Sequence, residues 1–101
     1  MHLSETQKKK LRAIGHTLKP VVTVGSAGLT ASVIEEFARS VEHHELLKIK
    51  VIADDRIQRD AIIEQLCVSA KAQLIQRVGH IALICKISNK KSRIIEQISS
   101  K

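Results

Sequence analysis

The sequence predicts an α/β fold in which a mixed four-stranded sheet is packed with helices, in the order α-β-α-β-α-β-β. Apolar runs at 21–24 and 46–52 alternate with segments of helical spacing, and strand–helix–strand units imply parallel crossovers. Two more apolar runs, at 72–78 and 80–87, are separated only by Gly79, which indicates a tight hairpin and an antiparallel strand. A length of 101 residues is enough for one domain.

The first helix is predicted to begin at Ser4, because Ser4 and Gln7 form a capping box in the segment SETQ. Pro20 ends it, since the residue before a proline avoids the helical region. The strand VVTV (21–24) follows. The apolar side of this helix carries Leu11, Ile14 and Leu18.

The middle of the chain is predicted to form two helices on either side of a strand. Thr30 caps the second helix, whose apolar side carries Val33, Ile34, Phe37, Ala38 and Val41. In the strand LLKIKVI (46–52), Lys48 and Lys50 point away from the core that takes the alternate residues. Asp54 or Asp55 caps the third helix. This helix runs to about Ala70 and packs through Ile57, Ala61, Ile62, Leu66 and Cys67.

We expect one domain over residues 1–87 and a basic tail over 88–101, where three isoleucines have a spacing that fits a short helix. Cys67 and Cys85 fall in core segments and form no C-x-x-C pair, so we expect buried thiols and no metal or redox site. The chain has neither a signal-peptide core nor a stretch long enough to span a bilayer. We therefore expect a cytoplasmic protein without membrane contact.

The charge of the chain favours a nucleic-acid partner. Seventeen Lys and Arg against ten Asp and Glu give a net charge of +7, which attracts polyanions. Phe37 is the only aromatic residue, so the chain cannot build an exposed aromatic platform for stacking bases. If it binds nucleic acid, we expect the contacts to be mostly with phosphates, sugars and shape. DNA is disfavoured because no recognition-helix motif occurs. The first twenty residues contain one acid and five basic residues: Lys8, Lys9, Lys10, Arg12 and Lys19.

The loop Gly25-Ser26-Ala27-Gly28 precedes a predicted helix start, where free N–H groups attract anions. The pattern also occurs in plain turns, and it is neither a P-loop nor a dinucleotide fingerprint. The nearby basic residues favour a phosphate contact. His43 and His44 point about 100° apart on a helix, which argues against a shared metal ion. No catalytic or cofactor signature occurs, so the sequence favours a binding protein over an enzyme.

The segments LKPVVTVGSAGLT and EHHELLKIKV resemble the CRM domain family, specifically its small stand-alone bacterial YhbY-like members, from Leu3 to about Ile87. The resemblance implies a fold similar to the C-terminal domain of translation initiation factor three. It also implies RNA binding and a role in ribosome biogenesis, on precursors of the large ribosomal subunit. The implied RNA contacts are Gly25, Ser26, Ala27 and Gly28 with Lys9, Arg12, Lys19 and Lys48, and Lys8 lies beside them.

Two segments depart from the family pattern. Ser26 stands where the loops of many plant members have Lys, and Ile84-Cys85-Lys86 stands where Leu-Tyr-Arg is frequent. An alternative function also fits the sequence: a protein–protein interaction module of ribosome assembly with incidental RNA contact. In that case the acidic face of the second helix or the isoleucine-bearing tail would dock a partner such as a ribosomal protein.

Overall fold

A computed structural model describes residues 3–87 and residue 94 of the protein. Over this part of the chain the elements are α1 (Glu5–Gly15), β1 (Pro20–Val24), α2 (Ala31–His44), β2 (Leu46–Val51), α3 (Arg56–Ala70), β3 (Gln73–Val78) and β4 (Ile81–Cys85). The predicted element order and the mixed four-stranded sheet are confirmed. The predicted basic tail and its helix lie outside the described residues, Ile94 excepted.

The strands are arranged in the order β1-β2-β4-β3, with β1 parallel to β2 and both other pairs antiparallel. Val24 pairs with Val51 at the ends of β1 and β2, and Lys50 pairs with Ile81 at the start of β4. The segments that follow β1 and β2 therefore meet the β3–β4 turn at one edge of the sheet. We call this the loop edge; it consists of residues 25–30, 52–55 and 79–80.

Helices cover both faces of the sheet. Helices α2 and α3 pack on one face around a core that includes Phe37, Val41, Ile49, Leu66 and Ile84. Helix α1 packs on the opposite face, against a smaller cluster that contains Leu11, Leu46, Leu83 and Cys85. Among the described residues, no helix is both long and apolar enough to cross a bilayer.

Helix α1 ends at Gly15, earlier than the sequence predicts. His16 is its C-cap, and the next two N–H groups donate to the carbonyls of Ile14 and Gly15, at 3.1 and 3.0 Å. Glycine is a poor helix former, and here it also permits close packing, because a Cβ on Gly15 would lie 2.7 Å from Leu83. Lys19 consequently lies beyond the helix, at the start of β1, and does not share a helical face with the other basic residues of α1.

The prediction of which face of α3 is buried is partly wrong. Ile57 is 81% exposed and Ala61 is also exposed, whereas Ile63 and Ala70 are buried with Leu66 and Cys67. Apolar residues occupy two faces of this helix, and the spacing 63, 66, 67, 70 fits the helical period equally well. The second set is the buried one because these residues pack against the sheet.

Both cysteines are free and buried, as the sequence predicts. Burial raises the pKa of the Cys67 thiol to about 11. Burial, together with the negative charge of Glu45, raises the pKa of Cys85 to about 12. Both thiols are therefore protonated at neutral pH, and neither has the thiolate character of a reactive cysteine.

We expect neither thiol to react quickly with a thiol-specific reagent at pH 7.5 in the native protein. The raised pKa leaves almost no thiolate, and burial hinders access. The same reagent should modify both thiols in denaturant, which serves as the internal control. Fast modification of the native protein, measured by absorbance, would contradict the core described above.

Candidate nucleic-acid interface

The loop from Gly25 to Gly28 is a tight turn at the loop edge. The N–H of Gly28 donates to the carbonyl of Gly25 at 3.0 Å, and Gly28 has φ +77°, a conformation that favours glycine. Ser26 and Ala27 form the exposed tip between the two glycines. The turn therefore places a small, exposed stretch of backbone directly before α2.

The start of α2 is open to an anion. Thr30 is the N-cap, and its hydroxyl accepts a hydrogen bond from the N–H of Val33 at 3.2 Å. The first turn of α2 contains no acidic residue, so no side chain there neutralises the positive end of the helix dipole. A phosphate beside the loop would meet this positive end.

Lys48 and Lys50 both project from the α1 face of the sheet, because they alternate with β2 residues buried on the other face. Lys50 pairs with Thr23, one residue before the end of β1, whereas Lys48 lies about 7 Å further from the loop edge. Lys50 is exposed and Lys48 is half-buried. The predicted site omits Lys50, although the alternation in LLKIKVI places it on the same face as Lys48 and nearer the loop.

The predicted basic residues of α1 lie further from the loop. The carboxyl end of α1 borders a cleft of about 240 Å³ that contains His16, Lys48, Val78 and Ile81, so α1 ends toward the loop edge. Lys8 is seven residues before that end, about 10 Å along the helix. The structure thus brings Lys48 close to His16, but it does not gather the α1 residues around the loop.

Together these residues form an extended surface rather than a compact cluster. Lys19 precedes Pro20, which pairs with Lys48, and so it lies at the opposite end of β1 from the loop, roughly 20 Å away. We use the name basic track for the series that starts beside the loop and continues to the far end of α1: Lys50, Lys48, Lys19, Arg12, Lys8 and Lys9.

Most of the basic track is not engaged by acids of the protein. Within residues 3–87, no hydrogen bond or ion pair reaches the side chains of Lys9, Arg12, Lys19, Lys48 or Lys50, and Lys8 lies 4.0 Å from Glu5. Elsewhere Arg77 pairs with Asp60 at 2.7 Å, and Lys86 pairs with Glu42 at 2.6 Å. The cations that remain available to a polyanion are concentrated on the side of α1, β1 and β2.

The two neighbouring histidines of α2 contact each other through their rings. The rings of His43 and His44 pack edge to face, with centroids 4.9 Å apart, at the end of α2. In the described part of the chain, no three His, Cys, Asp or Glu side chains come together as ligands.

A family model and two known proteins match this chain over most of its length. The model of the CRS1 / YhbY (CRM) domain matches residues 3–86 of this chain. A Pseudomonas aeruginosa protein named as a probable RNA-binding protein is 37% identical over 99 residues, covering 98% of this chain and 95% of its own length. A Haemophilus influenzae protein named as an RNA-binding protein is 40% identical over 86 residues, covering 85% of this chain and 87% of its own length.

A solved structure supports the fold. The solution structure of SAV1595 from Staphylococcus aureus superposes with a TM-score of 0.76 at 24% identity, covering 90% of this chain and 95% of that protein. The two named relatives are described as a probable RNA-binding protein and an RNA-binding protein, and neither description includes an enzymatic activity.

The two loop glycines should differ in their tolerance of alanine. A Cβ on either meets no atom within 4 Å, but only Gly28 has positive φ. Gly28→Ala should therefore lower the free energy of unfolding by about 1–2 kcal/mol through backbone strain, measured by urea denaturation. Gly25→Ala is the matched control and should be neutral. Equal effects of the two substitutions would contradict this loop conformation.

Proposed function

The chain belongs to the CRS1/YhbY (CRM) domain family, and on this premise we propose that it docks structured ribosomal RNA through the Gly25–Gly28 loop and the basic track. The proposed RNA is that of large-subunit precursors, with which the protein would associate during ribosome assembly. The action takes place in the cytoplasm, requires no cofactor, and involves no membrane.

The observation that carries the proposal is the position of the unpaired cations. Among the described residues, most of them lie on the side of α1, β1 and β2, and they lead toward the start of α2, whose first turn contains no acidic residue. Such a surface follows a phosphate backbone, whereas the paired cations Arg77 and Lys86 contribute little to it.

The composition determines how RNA is recognised. Phe37, the one aromatic residue, is fully buried, so the protein has no aromatic platform for bases. The protein can still contact the phosphates and 2′-hydroxyls of a folded RNA, and such contacts recognise the shape of the RNA. At the loop tip, the Ser26 hydroxyl can donate to a phosphate but adds no charge. Lys50, on the neighbouring strand, supplies positive charge near the loop in its place.

The alternative function, protein docking with incidental RNA contact, has less support. On the acidic face of α2, Glu42 is already paired with Lys86. Ile94, from the tail, is buried, and its N–H donates to the Glu45 carboxylate at 3.4 Å. Association with ribosomal particles that survived neutralisation of the basic track would favour this alternative.

We expect binding to a ribosomal RNA hairpin to weaken steeply with salt. With about 5–7 phosphate contacts, the slope of log affinity against log salt should be roughly −4 to −6. The double substitution Lys19→Gln and Lys50→Gln should make this slope shallower by about 2, measured by fluorescence anisotropy.

The matched control is Arg39→Gln on α2, an exposed cation on the opposite face of the sheet. It should leave the slope nearly unchanged. A slope near zero for the wild type, or an equal loss in the control, would contradict the proposed surface.

A further inference from the structure

A second cleft lies at the loop edge, on the side of the glycine loop that faces α3. It has a volume of about 230 Å³, and Gly25 and Gly28 form one of its walls. Ile52 and Ile62 provide apolar surface inside it, and Ile52 is 46% exposed although it follows a buried strand. The cleft is far larger than the site of a single water molecule, and it has room for a planar ring.

Asp54 is the charged residue among those that line this cleft, and it is exposed. Asp55, not Asp54, caps α3, since its carboxylate accepts a hydrogen bond from the N–H of Gln58 at 2.8 Å. Among the described residues, nothing donates a hydrogen bond to the Asp54 carboxylate or pairs with it. Gln58 also lines the cleft and is exposed, and its side-chain amide has no hydrogen-bond partner within residues 3–87.

Asp54 precedes the N-cap of α3, where the helix dipole favours an acidic residue, but at this position it also lies beside the glycine loop that is proposed to bind phosphate. A carboxylate repels phosphate, so it lowers affinity unless the RNA brings a hydrogen-bond donor to it. RNA has two kinds of donor, the 2′-hydroxyl and the N–H groups of the bases. Because the cleft is partly apolar, it suits a base better than a sugar.

We propose that this cleft receives one unpaired base of the bound RNA and that Asp54 selects guanine. The proposal rests on the function proposed above, since it concerns the same bound RNA. The Watson–Crick edge of guanine presents N1–H and the 2-amino group side by side, and one carboxylate can accept from both. In adenine and cytosine the amino group neighbours a ring nitrogen acceptor, and in uracil the single N–H lies between two carbonyls. A carboxylate repels those acceptors.

The remaining groups of the cleft fit this assignment. The isoleucine side chains can cover the face of the base, which replaces the missing aromatic stacking partner. The Gln58 amide can donate to the O6 of guanine. The two glycines carry no Cβ, so the ribose and phosphate of the same nucleotide can approach the loop backbone closely. Phosphate contact and base recognition would thus be combined in one nucleotide.

The test compares RNA hairpins that have the same stem and a loop of uridines, with one loop position occupied by guanine, inosine or adenine. Inosine lacks only the 2-amino group, and all probes carry equal charge. By anisotropy, the wild type should bind the guanine probe about tenfold more tightly than the other two. Asp54→Asn should abolish most of this preference without changing the salt slope.

The matched control is Glu64→Gln, which removes the same charge from an exposed position on α3 and should keep the preference. Equal binding of all probes by the wild type, with a steep salt slope, would overturn base selection and leave RNA docking intact. A uniform gain in affinity for all probes in Asp54→Asn would show that Asp54 only repels phosphate, and would also overturn the proposal. If the wild type bound none of the probes, both the RNA-docking proposal and the base-selection proposal would be contradicted.

Discussion

The parallel pairing of β1 with β2 is the constraint on which the candidate interface depends. Since Val24 and Val51 end their strands side by side, the glycine loop and the segment before α3 must leave the sheet together. The N–H of Ile52 donates to the carbonyl of Val24 at 2.9 Å and continues this pairing past the last residue of β2. The same register places Lys50 beside the end of β1. One backbone arrangement thus positions a turn, two helix starts and a lysine.

Pairing within the protein decides which charges can act on a partner. The net charge of +7 describes the whole chain, but several cations are held by Asp60, Glu42 or Glu5. What distinguishes the basic track is that acids of the described fold leave most of it unneutralised. Surface ion pairs of this kind add little to stability, and here they weaken the positive field on the side of α2 and α3, where Arg77 and Lys86 are paired.

Local signals predict most of the fold. The caps at Ser4 and Thr30 and the hairpin around Gly79 are short-range features, and each is present in the structure. The end of α1 and the buried face of α3 depend on contact with the sheet, which periodicity alone does not define. The resemblance to the CRM family is confirmed by the family match.

The candidate site is predictable only in part, for the same reason. The sequence indicates the glycine loop and a basic side, but the distance of Lys19 from the loop and the nearness of Lys50 follow from strand register. The cleft at Asp54 could not be predicted, because it forms between segments joined only by the parallel pairing. The roles of the predicted RNA-binding residues remain predictions.

The most direct test of RNA docking is sedimentation of cell lysate on a sucrose gradient at low and high salt, with this protein followed by antibody. We expect the wild type to migrate with precursors of the large subunit at low salt and to leave them at high salt. The variant with Lys19→Gln and Lys50→Gln should leave them at a lower salt concentration, because fewer phosphate contacts hold it. A wild-type protein that stayed at the top of the gradient at low salt would contradict the assignment to ribosomal precursors.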